Sequence, residues 1–454
     1  MQLTFLGATE TVTGSKYLLQ HQDKKILIDC GLFQGYKELR LRNWSKLPIN
    51  PKEIDAVIIT HAHIDHTGYL PLLVKNGYKG KIFTTKGTKA LCEVLLIDSA
   101  YLQEKDAERA NRYGYSKHHP ALPLYTQDDA KKALSQFVTL DYDDSYSLFP
   151  DLSFNFIFAG HIIGSSFVKI KQKNTTILFT GDMGRPHDPI MKPPAPVYEA
   201  DYLIIESTYG NRLHDTEDPE SMLERIINQT IKRGGSVMIP AFAVGRTQTI
   251  LYYLYRLKQA NKIPNIPIFL DSPMAIDATN IFLAFKNEHR LTPQICADFC
   301  NVAKYTNTVE ESKELDVQKM PKIILSASGM VEGGRILHHI KAYGSDHRNT
   351  ILFTGYQAGG TRGDRMINGE GTIKIYGEMI PIQAQVESIT SISAHADRNE
   401  LLEWCKQFTS PPRKVFITHG EKQSTQSFKE LLQKELHWNC IVPTYQYSEE
   451  LYDG

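Results

Sequence analysis

Charge of one sign is what this sequence most plainly lacks: 51 Lys plus Arg balance 51 Asp plus Glu. A chain with no net charge has no overall field to draw in nucleic acid or an anionic membrane, so any polyanion site has to be local. Long apolar runs are missing too. None approaches the roughly eighteen residues of a membrane span, and Met1-Gln2-Leu3-Thr4-Phe5-Leu6-Gly7 lacks the basic lead and apolar core of a secretory signal. The expectation is a cytoplasmic protein with no membrane partner. Six cysteines, at 30, 92, 296, 300, 405 and 440, form no C-x-x-C pair, and a chain of 454 residues needs no disulfide staples. They read as free thiols, Cys30 as a small buried group. Internal repeats, low-complexity tracts and an appended RNA-binding module are also absent. What remains is ordinary for a globular enzyme of roughly two or three domains, with 41% hydrophobic and 22% charged residues.

Against that plain background stands His61-Ala62-His63-Ile64-Asp65-His66, directly after the apolar run Ala56-Val57-Ile58-Ile59-Thr60. The run reads as a buried strand. At its end, residues 61, 63 and 65 of a still-extended segment project to one side before Asp65 and His66 open a helix over Thr67–Asn76. Imidazoles and a carboxylate are ligands that zinc prefers, and four within six residues exceed what one tetrahedral ion uses once distant ligands join. The cluster therefore predicts two metals.

Several later strands repeat the pattern. Ser153–Phe158 delivers His161 among Gly160 and Gly164, and Thr176–Thr180 delivers Gly181-Asp182-Met183-Gly184. Either residue alone would be unremarkable; in the same strand-end context, a shared carboxylate is a natural bridge between two cations. A strand over 201–205 ends at Glu206, and two more strand-end histidines follow, His395 and His419. The neighbours His118 and His119 read as solvated. From Glu217 onward helices and strands alternate, which predicts a second, parallel α/β unit. Within it, Ser328-Gly329-Met330 and Gly333-Gly334 precede a helix from Arg335, in form an anion cradle, and Arg362 lies in a second glycine-rich turn.

Taken in order, these motifs resemble the metallo-β-lactamase superfamily, and within it the β-CASP branch of nucleic-acid-processing nucleases. Asp29 in Leu27-Ile28-Asp29-Cys30-Gly31, the cluster at 61–66, His161 and Asp182 match the shared motifs; Glu206, His395 and His419 match those of the branch. Pro240-Ala241-Phe242-Ala243-Val244-Gly245-Arg246, Asp271-Ser272-Pro273-Met274 and Ala327-Ser328-Gly329-Met330 are similar to bacterial and archaeal relatives of the polyadenylation-machinery endonuclease. The resemblance implies an α/β fold: an αββα sandwich interrupted by a parallel β-CASP domain, with residues 1–206 and 372–454 forming the first and 207–371 the second. The chain looks unlike ribonuclease J, having no extra C-terminal domain, and unlike archaeal forms with N-terminal KH domains. It departs from the family in having Arg335 where proline is frequent.

The resemblance also implies roles. His61, His63 and His161 hold one Zn2+, Asp65, His66 and His419 the other, and Asp182 bridges. Asp29 orients the cluster. His395 is the general acid, with Glu206 accepting its other N–H. The glycine-rich turns themselves, rather than the resemblance, make Ser328, Gly329 and Arg362 the candidates for substrate phosphates. The implied activity is a zinc-dependent ribonuclease cutting single-stranded RNA in a slot between the domains and leaving 5′-phosphate and 3′-hydroxyl ends. A small-molecule metallohydrolase, a DNA nuclease and a non-catalytic binding subunit are the competing readings, and the choice between monomer and homodimer stays open.

Overall fold

A computed structural model describes residues 1–114 and 116–452. The chain forms two compact units, Met1–Leu213 with His395–Gly454, and His214–Ala394. In the first, seven strands are ordered Ser448–Glu450, Gln2–Phe5, Tyr17–His21, Lys24–Ile28, Ala56–Ile58, Lys81–Thr85 and Phe137–Leu140. The second sheet is ordered Cys440–Ile441, Lys414–Ile417, Tyr202–Ile205, Thr175–Phe179, Ser166–Gln172, Leu152–Phe158 and Tyr146–Phe149. The expected strand after Glu53 is buried throughout, as befits a central parallel strand covered on both faces.

The two sheets meet through interdigitating aromatics. Phe5 lies 5.1 Å from Phe416 between ring centres, Tyr17 5.8 Å from Phe179 and Phe83 5.6 Å from Phe154. Helix Lys86–Tyr113 packs outside the first sheet on Lys81–Thr85 and Phe137–Leu140. Outside the second, Trp404, Phe428 and Leu432 from helices Arg398–Cys405 and Lys422–Leu436 pack with Leu203, Ile205, Val415 and Ile417. The layers are αββα. The single helix expected at 67–76 is instead two, Ile64–Thr67 and Leu70–Lys75, broken where Gly68 packs against Ile64 and Pro71 opens the second.

The main sheet of the inserted unit is ordered Lys304–Tyr305, Ile268–Leu270, Ile323–Ser326, Val237–Pro240, Thr350–Thr354 and Gln385–Ile389, with every pair in it parallel. This corrects the expected return to the first domain at residue 372. Gln385–Ile389 pairs with Thr350–Thr354, and the hairpin Thr372–Ile375/Glu378–Pro381 packs Ile373, Ile375 and Ile380 with Ile351 and Phe353. Residues 372–394 therefore fold with the insertion, and residues 207–213 with the first unit. Among the described residues no helix is long and apolar enough to cross a membrane.

Arg335 faces inward. Its Nη1 donates to Asp271 Oδ1 at 2.6 Å and to the Thr306 carbonyl, and its Nη2 to the Asn307 carbonyl. The other Asp271 oxygen accepts from Ser312 Oγ at 2.5 Å and from His339 Nε2 at 2.7 Å, and Asp316 meets His339 Nδ1 at 2.7 Å. Burial alone would lower the pKa of His339, but Asp271 and Asp316 hold it above its ordinary value. Burial would likewise raise Asp271, which His339, Ser312 and Arg335 hold low.

These shifts fix the sign of a pH effect. A raised histidine pKa contributes stability that is whole below about pH 6.5 and fades as pH rises through the raised value; a depressed carboxylate contributes above about pH 3.9 and fades as pH falls. His339→Ala is expected to destabilise the inserted unit by about 3–5 kcal/mol near pH 5.5, the range for breaking a buried pair. The deficit relative to the native chain should shrink by pH 9. Urea unfolding followed at both pH values checks it.

Candidate metal centre

The two sheets place the candidate residues at matching strand ends. Lys24–Ile28 and Ala56–Ile58 are parallel neighbours, so Asp29 and His61 leave the first sheet side by side. Thr175–Phe179, Tyr202–Ile205 and Lys414–Ile417 are parallel neighbours in the second, and release Asp182, Glu206 and His419 together. His161 follows Leu152–Phe158. The loop carrying Asp65 and His66 is clasped by two others: Ser15 N–H donates to the Asp65 carbonyl at 2.9 Å, Cys30 N–H to that of His66 at 2.7 Å, and Leu32 N–H to that of Ile64 at 3.0 Å. Gly31 is required by this approach, since a Cβ there would sit 1.5 Å from the Asp65 carbonyl oxygen.

Besides the trio Asp182, Glu206 and His395, the side chains gather into two four-residue groups able to hold a metal ion, His61, His63, His161 and Asp182, and Asp65, His66, Asp182 and His419. Asp182 is common to both. Its Oδ2 lies 3.3 Å from His61 Nε2 and 3.6 Å from His161 Nε2, while Oδ1 lies 3.3 Å from His66 Nε2. His63 Nδ1 is 3.1 Å from His61 Nε2 and 3.3 Å from His161 Nε2. In the second group His419 Nε2 is 3.2 Å from both His66 Nε2 and Asp65 Oδ2.

Hydrogen bonds behind the histidines decide which nitrogens carry lone pairs. Asp29, fully buried, accepts from Thr60 N–H at 2.8 Å, from Thr60 Oγ1 at 2.9 Å and from His66 Nδ1 at 2.7 Å. With its proton on Asp29, Thr60 Oγ1 accepts from His61 Nδ1 at 3.1 Å. One carboxylate thus sets the tautomer of a histidine in each group and turns both Nε2 lone pairs inward. Thr208 Oγ1 lies 3.1 Å from His419 Nδ1 and donates to the His419 carbonyl, giving the same orientation.

Electrostatics agree. Burial pushes His61 down, His161 well down, and His63, helped by neighbouring His61, to about 3, which favours the neutral form a metal ligand needs. Burial would lower His66 too, yet Asp182, Asp29 and Asp65 hold it well above its usual value. Surroundings that favour a proton there favour a metal cation in its place. Asp65 and Asp182 stay well below the carboxylate range despite burial, because His66 and His419 face both. Asp182 Oδ1 is buried and accepts no hydrogen bond. Converging lone pairs, two low-pKa carboxylates and this unsatisfied oxygen fit zinc-type chemistry.

His395 stands beside both four-residue groups. Its Nδ1 is 3.1 Å from each Glu206 oxygen, its Nε2 is 3.9 Å from Asp182 Oδ2, and its ring centre is 4.5 Å from that of His161. Glu206 also accepts Met183 N–H at 2.6 Å and Thr208 N–H at 3.3 Å.

The expected phosphate contacts lie in the other unit and make internal hydrogen bonds. Ser328 Oγ accepts from the N–H groups of Glu332 and Gly333, Ser328 N–H donates to the Gly333 carbonyl, and the Gly329 carbonyl accepts from Gln357 Nε2. The Arg362 guanidinium donates to the carbonyls of Lys374 at 2.8 Å and Val331 at 3.2 Å. The turn thus uses the N–H groups of Ser328, Val331, Glu332 and Gly333 internally, and Arg362 links two loops. Cys30 is buried, its thiol pushed up to about 12 by burial, consistent with an inert group. Sequence reasoning missed Thr60 and Thr208; the only signal was a hydroxyl beside a strand-end ligand.

Comparison with known proteins places the chain in a family. Residues 11–223 match the metallo-beta-lactamase superfamily, 247–366 the Beta-Casp domain and 379–443 the Zn-dependent metallo-hydrolase RNA specificity domain. The chain belongs to the β-CASP branch of the metallo-β-lactamase superfamily, whose members are metal-dependent hydrolases. It is 35% identical over 449 residues to Ribonuclease TTHA0252 of Thermus thermophilus, covering 95% of this chain and 96% of that one. It is 32% identical over 448 residues to an RNase J-like protein of Methanocaldococcus jannaschii, covering 97% of each, so overall length does not separate the chain from that protein. Transcription termination factor FttA of Methanosarcina mazei is 32% identical over 456 residues, 96% of this chain and 69% of that one. A crystal structure of a protein of unknown function from Enterococcus faecalis superposes over 99% of both chains with a TM-score of 0.54 at 13% identity, a likeness of fold alone.

The hydrogen-bond geometry separates two kinds of lesion. Asp29→Ala is expected to weaken metal binding in both groups, by about 10- to 100-fold as for other residues that orient ligands. Thr208→Val should weaken only the group containing His419, and Thr208→Ser should largely restore it. Competitive chelator titration of zinc-loaded protein reads both affinities.

Proposed function

We propose that the protein is a ribonuclease that binds two zinc ions, one in each group with Asp182 between them, and hydrolyses phosphodiester bonds of single-stranded RNA to leave 5′-phosphate and 3′-hydroxyl ends. The observation that carries this reading is the Glu206–His395 pair. A phosphodiester needs more than activated water: its leaving alkoxide needs a proton, and a histidine whose lone pair binds metal cannot supply one. His395 is set apart for that task by the bidentate grip of Glu206 on Nδ1, which turns Nε2 toward the metal groups.

Zinc, when bound, supplies a Lewis acid that makes water nucleophilic near neutral pH and offsets charge on the phosphoryl group. The chain's own residues do the rest. His61, His63, Asp65, His66, His161, Asp182 and His419 fix the donor atoms, and Asp29, Thr60 and Thr208 fix the rings. His395 gives the proton on Nε2 to the departing 3′-oxygen, and Glu206 stabilises the charged imidazolium beforehand. The ribonuclease relative covered over nearly its whole length supports RNA as substrate over an ester or lactam, as does the match to an RNA specificity domain.

His395→Ala should retain zinc and bind RNA near normally while turnover falls roughly 10²- to 10⁴-fold, the usual cost of a missing general acid. His419→Ala should lose metal instead. A substrate with sulfur in place of the scissile 3′-oxygen, whose departure needs little protonation, should rescue His395→Ala and not His419→Ala. Zinc loss from His395→Ala, or equal rescue of both, would place His395 among the ligands.

A further inference from the structure

We infer that residues 36–46 form a docking shelf for the RNA strand that the metal centre cleaves, an inference that rests on the ribonuclease reading. The helix Lys37–Arg42 buries none of its residues, yet the segment holds large apolar groups in solvent: Tyr36 is 49% exposed and Trp44 61%. The chain has three tryptophans, and the other two, Trp404 and Trp438, are 4% and 6% exposed. Trp44 therefore adds little to the core, and with Tyr36 and Leu41, itself 54% exposed, it makes a cluster of exposed apolar groups of the kind that marks a contact surface.

Charge identifies the partner. In a chain whose charges balance, residues 36–46 carry Lys37, Arg40, Arg42 and Lys46 against the single acid Glu38. Cations alternating with exposed rings are what a single strand needs, because phosphates meet the cations while unpaired bases stack on the rings. An apolar protein partner would be poorly served by Lys37, Arg40 and Lys46 around two aromatics.

The shelf is anchored and near the centre. Asn43, buried, accepts Phe33 N–H at 2.9 Å and donates to the Phe33 carbonyl at 2.8 Å, and the Arg42 guanidinium lies over the rings of Tyr445 at 4.4 Å and Phe33 at 5.4 Å. Leu32, four residues before Tyr36, is hydrogen-bonded to Ile64 between the ligand candidates His63 and Asp65. Four residues reach at most about 14 Å even when fully extended. A strand seated at the metals would pass the shelf within a few nucleotides.

Because the other tryptophans are buried, Trp44 reports its own occupancy. Titration of the full-length, zinc-loaded protein with a single-stranded 12-mer oligoadenylate should quench tryptophan fluorescence in step with fluorescence anisotropy of the labelled oligonucleotide. Trp44→Ala should weaken that binding roughly 5- to 150-fold, the range for one stacked base, with the loss in KM for RNA rather than in kcat. Trp44→Phe should recover most of it. Replacing Lys37 and Arg40 together by Gln should flatten the salt dependence by roughly 0.7 for each phosphate that is no longer neutralised. RNA binding seen by anisotropy without quenching, and unaffected in Trp44→Ala, would overturn the shelf and leave the ribonuclease reading standing. Quenching on binding without cleavage would keep RNA at residues 36–46 but defeat the ribonuclease reading, and with it the inference that the docked strand is the one cleaved. A change of oligomeric state in Trp44→Ala at unaltered RNA affinity would make the surface a protein contact and overturn the inference.

Discussion

The carboxylate of Asp29 is the point on which the candidate centre depends. It is wholly buried, and its backbone sits at a φ of +57°, a conformation non-glycine residues seldom adopt. An isolated charge in such a place would be prohibitively costly, so it must be met by donors. Those donors, Thr60 and His66, tie it to the end of the neighbouring strand and to the short helix beyond. Through Thr60 it also governs His61. Both metal groups thus inherit their ring orientations from one buried anion, and the order of the sheet sets where that anion sits.

Chemically identical residues are given different tasks by what stands behind them. His419 leaves its strand at a φ of +47°, with its N–H donated to the Ala8 carbonyl at 2.8 Å and a neutral hydroxyl, Thr208, behind the ring. A neutral hydroxyl in that position suits the ligand task proposed for His419. His395 has a carboxylate behind it, which favours the charged, proton-giving form. Thr208 serves both arrangements: its side chain orients His419 while its N–H helps hold Glu206. The proposed ligand and the proposed acid are therefore linked by one buried threonine.

How much of this was legible in the sequence follows from how local each feature is. Apolar strands delivering His61, His161, Asp182, Glu206 and His419 could be read directly, because strand ends in neighbouring positions share one edge of a sheet. The end of the insertion could not. The strand Gln385–Ile389 is placed by parallel pairing with Thr350–Thr354, and periodicity within a segment says nothing about its distant neighbour. The internal bonding of the turn at Ser328 was hidden for a related reason: a glycine turn before a helix looks the same whether or not a serine hydroxyl accepts from the N–H groups of Glu332 and Gly333, as here. Thr60 and Thr208 escaped notice because threonine is at home in and beside strands for its shape alone. Arg335, ambiguous in sequence, is explained by Asp271, a partner 64 positions away.

The central claim is that water, activated between His61, Asp65, Asp182 and their neighbours, is the nucleophile, and that the RNA's own 2′-hydroxyl is not. Cleavage of a single-stranded RNA by zinc-loaded protein in water enriched in oxygen-18, followed by mass spectrometry of the fragments, tests this most directly. The account predicts one heavy oxygen on each new 5′-phosphate and none on the 3′-hydroxyl. Fragments ending in an unlabelled 2′,3′-cyclic phosphate would contradict it.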